Sequence, residues 1–261
     1  MRLHRVVEGP EDGPVVLFGG SLGSDLRMWH QQVTPLAARG YRVIRYDTRG
    51  HGGSPVPPGP YEIEDLGADV LALLDELGLE RVHHVGLSLG GMTGMWLGAH
   101  APDRIASLVL CCTSAKLGPK QMWADRAATV LAEGTAAIAA AGVGRWLTPG
   151  YAAARPEAAE FLRAMIAAVP RKGYAACCGA IERMDQLDSL PKIAAPTLVI
   201  AGAEDPITTP EEHARPIADG IPGARLEIVE HAAHLGNYEQ PGEFTRLILE
   251  HLESLESLET P

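Results

Sequence analysis

A serine hydroxyl attacks a carbonyl only when a base takes its proton, so a nucleophilic serine needs a histidine and an orienting carboxylate. One serine stands where such chemistry could be set up: Ser88, within Gly86-Leu87-Ser88-Leu89-Gly90. The Gly-x-Ser-x-Gly pattern alone is weak evidence, and its context supplies the specificity. Arg81 to Leu87 reads as a strand and Gly90 to His100 as a helix, so Ser88 falls at a sharp strand-to-helix turn. Such a turn strains the backbone at Ser88, and glycines at 86 and 90 remove Cβ atoms that would clash. It lifts the hydroxyl above the sheet edge and aims a helix N-terminus at a developing oxyanion.

The partners are expected downstream in the order carboxylate, then histidine. Asp205 lies just past the strand Thr197–Ile200, and His234 just past the strand Leu226–Val229, so both reach the edge that carries Ser88. Glu204 competes with Asp205, and His231 with His234. Asp205 is preferred because it stands at the turn before Pro206; His234 is preferred because it lies further into its loop, ahead of a helix start at Gln240-Pro241. An oxyanion hole takes two backbone N–H groups. Leu89 follows the nucleophile and should give one; Leu22, with Ser21 as the alternative, should give the other from Gly19-Gly20-Ser21-Leu22-Gly23.

These residues need a scaffold that brings strand ends together. Short apolar runs (Val15–Phe18, Tyr41–Tyr46, Val82–Val85, Ile105–Leu110, Thr197–Ile200, Leu226–Val229) alternate with helical segments. That alternation predicts an α/β fold with a mostly parallel, doubly wound sheet. Residues 63–78 carry Leu66, Val70, Leu73, Leu74 and Leu77 at helical spacing, with Gly78 placed to end the helix. The alternation breaks between Lys116 and Leu190, an Ala-rich stretch of helical periodicity. The expected organisation is a core of 1–115 and 191–261 with a helical cap, 116–190, over the strand ends. The bland alternative is a helical embellishment with no ligand role. The tail from Glu250 to Pro261, with its Glu-Ser-Leu repeat, either extends the last helix or frays.

A chain of 261 residues with 46% hydrophobic and 21% charged residues has ordinary globular composition. A net charge of -11 argues against nucleic-acid binding, and an anionic substrate would need a local cation. Cys111-Cys112 and Cys177-Cys178 lack Cys-x-x-Cys spacing and read as buried thiols in a reducing cytosol, the first pair pointing to opposite faces of a strand. No metal or cofactor motif, signal peptide or membrane span is recognised, so a cytoplasmic protein without cofactor is expected. In Arg45 through Ser54, Asp47 and Arg49 are expected to lock a turn by hydrogen bonds, and His51 to be a solvated or turn residue.

Nearly the whole chain resembles the α/β-hydrolases, and several stretches are similar to 3-oxoadipate enol-lactonases of the β-ketoadipate pathway. These are Ser21 to Trp29 (with Gly20-Ser21 in place of the commoner His-Gly), Arg45 to Ser54, Gly86 to Gly94, Arg145-Trp146-Leu147-Thr148 and Gly173-Tyr174-Ala175. The resemblance implies an α/β-hydrolase fold and hydrolysis of an enol-lactone to 3-oxoadipate in bacterial aromatic catabolism, with Ser88, Asp205 and His234 as the triad. It implies no fused decarboxylase, since the chain ends soon after the hydrolase core. The implied small-molecule substrate carries a carboxylate, for which Arg145 is the candidate partner; the alternative is a surface or helix-end arginine. Trp146 and Trp123 are candidate substrate-binding walls, or core aromatics of the cap. Other readings of the same triad are a general carboxylesterase, a cofactor-free perhydrolase, or a ligand sensor that turns over slowly.

Overall fold

The computed structural model describes residues 1–259. In chain order the elements of the first half are β1 (Arg5–Glu8), β2 (Val15–Gly19), α1 (His30–Ala38), β3 (Arg42–Tyr46), α2 (Ile63–Glu76), β4 (Val82–Leu87), α3 (Leu89–His100) and β5 (Ile105–Cys111). Five helices follow without a strand: α4 (Lys120–Glu133), α5 (Ala136–Trp146), α6 (Pro149–Ala154), α7 (Pro156–Ala168) and α8 (Arg171–Arg183). The chain then adds β6 (Thr197–Gly202), α9 (Arg215–Gly220), β7 (Arg225–Val229), α10 (Gly236–Glu239) and α11 (Pro241–Glu259).

The strands form one sheet in the order β1-β3-β2-β4-β5-β6-β7. All pairs are parallel except β1 with β3, where Arg5 faces Tyr46 and Glu8 faces Val43. The central strands are buried on both faces, which is why they read as continuous apolar runs. Successive residues serve opposite cores: Val16 and Phe18 pack toward α1 and α11, whereas Leu17 packs toward α2 and α3. Strand β1 was not expected from the sequence. It is a half-exposed edge strand flanked by Arg5 and Glu8, without the apolar run that marks its neighbours.

Helix α2 starts with a reciprocal cap between Glu62 and Asp65, and Gly78 beyond its end adopts φ 64°, as its position predicts. Helix α11 carries the Glu-Ser-Leu repeat to Glu259; the end of that tail, residues 260 and 261, lies outside the described residues. All four cysteines are buried free thiols. The opposite-face expectation for Cys111 and Cys112 fails. Cys112 has left the strand with φ 42°, so both thiols pack into the core beside α1 and α11. Among the described residues no helix is long and apolar enough to cross a membrane.

Candidate active site

Three strand ends build the site: β4 leads into Ser88, β6 into Asp205 and β7 into His234. Ser88 holds φ 56° and ψ -113°, a conformation that costs a non-glycine residue on the order of 1–3 kcal/mol. Neighbouring strands impose it. The Ser88 N–H donates to the Cys111 carbonyl at 3.0 Å, and the Thr113 hydroxyl donates to the Ser88 carbonyl at 2.7 Å. A Cβ at Gly86 would strike the Gly90 carbonyl, and one at Gly90 would strike that of Gly19. The two glycines of the pentapeptide are therefore demanded by close backbone approach.

His234 and Asp205 are buried, with Nδ1 of His234 2.8 Å from Oδ2 of Asp205. Asp205 also accepts from the Ile207 N–H at 2.8 Å, the Thr208 N–H at 3.1 Å and the Thr208 hydroxyl at 2.6 Å. Burial opposes ionisation of Asp205, but the adjacent His234 and these donors outweigh it and hold the carboxyl below its ordinary range. An ionised Asp205 only accepts, so Nδ1 of His234 carries the proton and Nε2 is left as a base. The competitors lie elsewhere: the His231 side chain is 85% exposed and faces the half-exposed Glu204 at 3.6 Å.

Ser88 and His234 line one cleft with Ser21 and Leu22. Around its rim the amide hydrogens are spoken for. Ser21 N–H meets the Met28 sulfur at 3.3 Å, Gly23 N–H donates to Nε2 of His51 at 3.0 Å, and Gly90 N–H donates to the Gly20 carbonyl at 2.9 Å. Among the described residues the N–H groups of Leu22 and Leu89 have no acceptor within the chain. These two N–H groups are left unbonded beside Ser88, whereas that of Ser21 is not.

The cleft is narrow, leaving about 30 Å³ open to the centre of a water molecule. Arg145, Trp146 and Trp123 all line it, with Arg126 and Tyr174. Trp123 and Trp146 are also buried in the packing of the helices. Arg145 is half-buried, and its Nε has no hydrogen-bond partner among the described residues. Burial and then the neighbouring Arg126 push its guanidinium below its usual value.

Of the two readings of His51 the turn one holds, with its N–H donating to the Thr48 carbonyl at 3.0 Å, and the solvated one fails. The side chain is 1% exposed and supports the Leu22 loop through Gly23. Asp47 locks its turn as expected, accepting from the Leu26 N–H at 2.7 Å and the Gly53 N–H at 2.8 Å. Arg49 instead ties that turn to α2 through Asp69 and the Asp65 carbonyl. Sequence reasoning also missed Glu239. This buried carboxylate accepts from the Thr148 N–H at 2.8 Å and the Thr148 hydroxyl at 2.7 Å, and from the Ala233 N–H at 2.6 Å. With the Leu235 N–H donating to the Trp146 carbonyl at 2.9 Å, it bolts the α5–α6 junction to the His234 loop. For Arg126 a signal existed: it lies one helical turn after Trp123, on the same face of α4. Among the described residues no cluster of three or more His, Cys, Asp or Glu could hold a metal ion.

A serine on a strained strand-to-helix turn, sharing a cleft with the histidine of a buried His–Asp pair at the edge of a mostly parallel sheet, defines a class. The chain belongs to the alpha/beta hydrolase fold family, whose pattern matches residues 13–241, and it is a hydrolase. Within that family it is 42% identical to 3-oxoadipate enol-lactonase 2 of Acinetobacter baylyi, over 94% of this chain and 91% of that one. Its fold matches the enol-lactonase of Burkholderia xenovorans LB400 with a TM-score of 0.94 and 40% identity, over 96% of both chains. It also matches a thermophilic esterase from Thermogutta terrifontis, solved with malate bound, at a TM-score of 0.91 and 34% identity, over 97% of this chain and 93% of that one.

Proposed function

We propose that this hydrolase opens 3-oxoadipate enol-lactone to 3-oxoadipate through an acyl-enzyme on Ser88, in bacterial aromatic-compound catabolism in the cytoplasm. The observation that carries the reading is the cleft shared by Ser88, His234 and the Leu22 loop, with Asp205 bonded behind His234. In this reading Nε2 of His234 takes the Ser88 proton as the hydroxyl oxygen adds to the lactone carbonyl. The N–H groups of Leu22 and Leu89 hold the resulting oxyanion. Collapse breaks the ring C–O bond and releases an enolate oxygen within the same molecule. That oxygen receives the His234 proton, and the enol tautomerises to the ketone. Water, deprotonated by His234, then cleaves the ester to Ser88 and frees the second carboxylate.

Residues 116–190 act in this reading as a cap over the core formed by 1–115 and 191–261, closing the cleft with Trp123 and Trp146. Arg145 of the cap pairs with the carboxylate that the lactone already bears. The names of the relatives that share over nine-tenths of the chain support the substrate. A general carboxylesterase on the same triad is the second reading, favoured by the likeness to the Thermogutta esterase.

Steady-state kinetics on the enol-lactone beside p-nitrophenyl acetate tests the assignment. The lactone should show the larger kcat/KM, and Ser88→Ala should abolish hydrolysis and fluorophosphonate labelling while the thermal midpoint stays near wild type. Comparable constants for both substrates would favour the esterase. Turnover slower than minutes on every ester would favour a sensor, and full activity in Ser88→Ala would sink the mechanism.

A further inference from the structure

The cleft holds a second cation that the proposed chemistry has not used. Arg126 of α4 and Arg145 of α5 line it together, although its other walls are largely apolar, with Ile138, Ile166 and Ile207 among them. Two guanidiniums in one cleft repel each other and are costly to desolvate, and a fold tolerates that where a ligand supplies the missing charge. Neither arginine has an acidic partner among the described residues, in a protein whose net charge is -11. Arg126 is oriented by stacking over the Trp123 ring, 5.2 Å from its centroid. A guanidinium presents five N–H donors, so both arginines keep donors to spare, the orphan Nε of Arg145 among them.

We infer that Arg126 and Arg145 form a two-guanidinium receptor for a carboxylate, so that the free enzyme binds short dicarboxylates, the ring-opened product included, as competitive inhibitors. One carboxylate lies between the arginines. The other reaches the unbonded N–H groups of Leu22 and Leu89 beside His234, where the product's new carboxylate is released. The inference rests on Ser88 being the reacting end of the cleft. Malate, bound in the related Thermogutta esterase, is a ligand of the same chemical class.

The test is inhibition of p-nitrophenyl acetate hydrolysis by adipate, with adipamide as the uncharged counterpart, at constant ionic strength. Adipate should compete with the ester and adipamide should bind far more weakly. Arg126→Gln and Arg145→Gln should each raise the adipate inhibition constant roughly tenfold or more, the loss expected for a charge-assisted contact. Adipate binding by calorimetry to Ser88→Ala, with and without each arginine substitution, gives the same comparison if a variant loses reporter activity, and thermal melts confirm that the variants fold. Equal inhibition by adipate and adipamide, or an inhibition constant unmoved in both variants, overturns the inference. Fast lactone turnover without dicarboxylate inhibition would sink it and leave the lactonase reading standing. Arginine-dependent inhibition without lactone turnover would do the reverse.

Discussion

At the scale of single residues, the oxyanion loop is set by the bonds its neighbours make. Nε2 of His51 accepts the Gly23 N–H at 3.0 Å, which fixes the loop that presents the Leu22 N–H. Burial lowers the His51 pKa, so the ring stays neutral and able to accept at neutral pH. Under the proposed mechanism His51 is a positioning residue acting through Gly23. His51→Ala should lower kcat by roughly tenfold to a hundredfold with little change in KM, because an oxyanion contact is made only in the transition state. The factor should be similar for the lactone and for p-nitrophenyl acetate, and His51→Gln, whose side-chain oxygen can accept, should recover much of it. A loss confined to KM, or to the carboxylated substrate, would remove His51 from this role.

At the scale of elements, the Glu239 bolt joins helices to a loop that share no sequence neighbourhood. A double-mutant cycle between Thr148→Val and Glu239→Gln, followed by urea unfolding, should give a coupling of about 1 kcal/mol or more, as for residues in one hydrogen-bond network. Strictly additive effects would show that the contact is idle. The same elements explain what was legible beforehand. Buried parallel strands such as β4 and β6 betray themselves by unbroken apolar runs, and their order along the chain placed Ser88, Asp205 and His234 at one edge. Strand β1 hid because pairing on one side only demands no apolar run. His51 and Glu239 hid for a different reason. Their work depends on which distant backbone they meet, across 28 positions for the His51–Gly23 bond and 91 for the Glu239–Thr148 bond, and no local spacing encodes that.

At the scale of the whole molecule, the interior carries an acid-sensitive element. His84 on β4 is fully buried, neither ring nitrogen has a hydrogen-bond partner among the described residues, and burial drives its pKa down to about 4. His251 is likewise lowered to about 4, first by burial and then by Arg225 and His83. In both cases the unfolded chain binds the proton more readily than the fold does. Their contribution is present above about pH 6.5, the unfolded value, and is lost as pH falls toward 4. For His84 the loss approaches about 3 kcal/mol. The thermal midpoint should therefore drop between pH 6.5 and pH 4, and His84→Leu should flatten that drop. An identical pH slope in the variant would clear His84 of the effect.

The helical segment between β5 and β6 leaves and re-enters the sheet on adjacent, directly paired strands, with Leu108 opposite Thr197. Those strands are parallel, so the segment leaves at one end of the ladder and returns at the other, but it is pinched together near its own ends: the Gln186 N–H donates to the Ala115 carbonyl at 2.9 Å and Lys116 pairs with Asp185 at 2.7 Å. Such a segment can be exchanged as a cassette, as a route to new substrate preference in evolution or in the laboratory. A transplanted cassette must bring a hydroxyl and an N–H to Glu239 and a carbonyl to the Leu235 N–H, or be fitted with a receiving loop rebuilt to match.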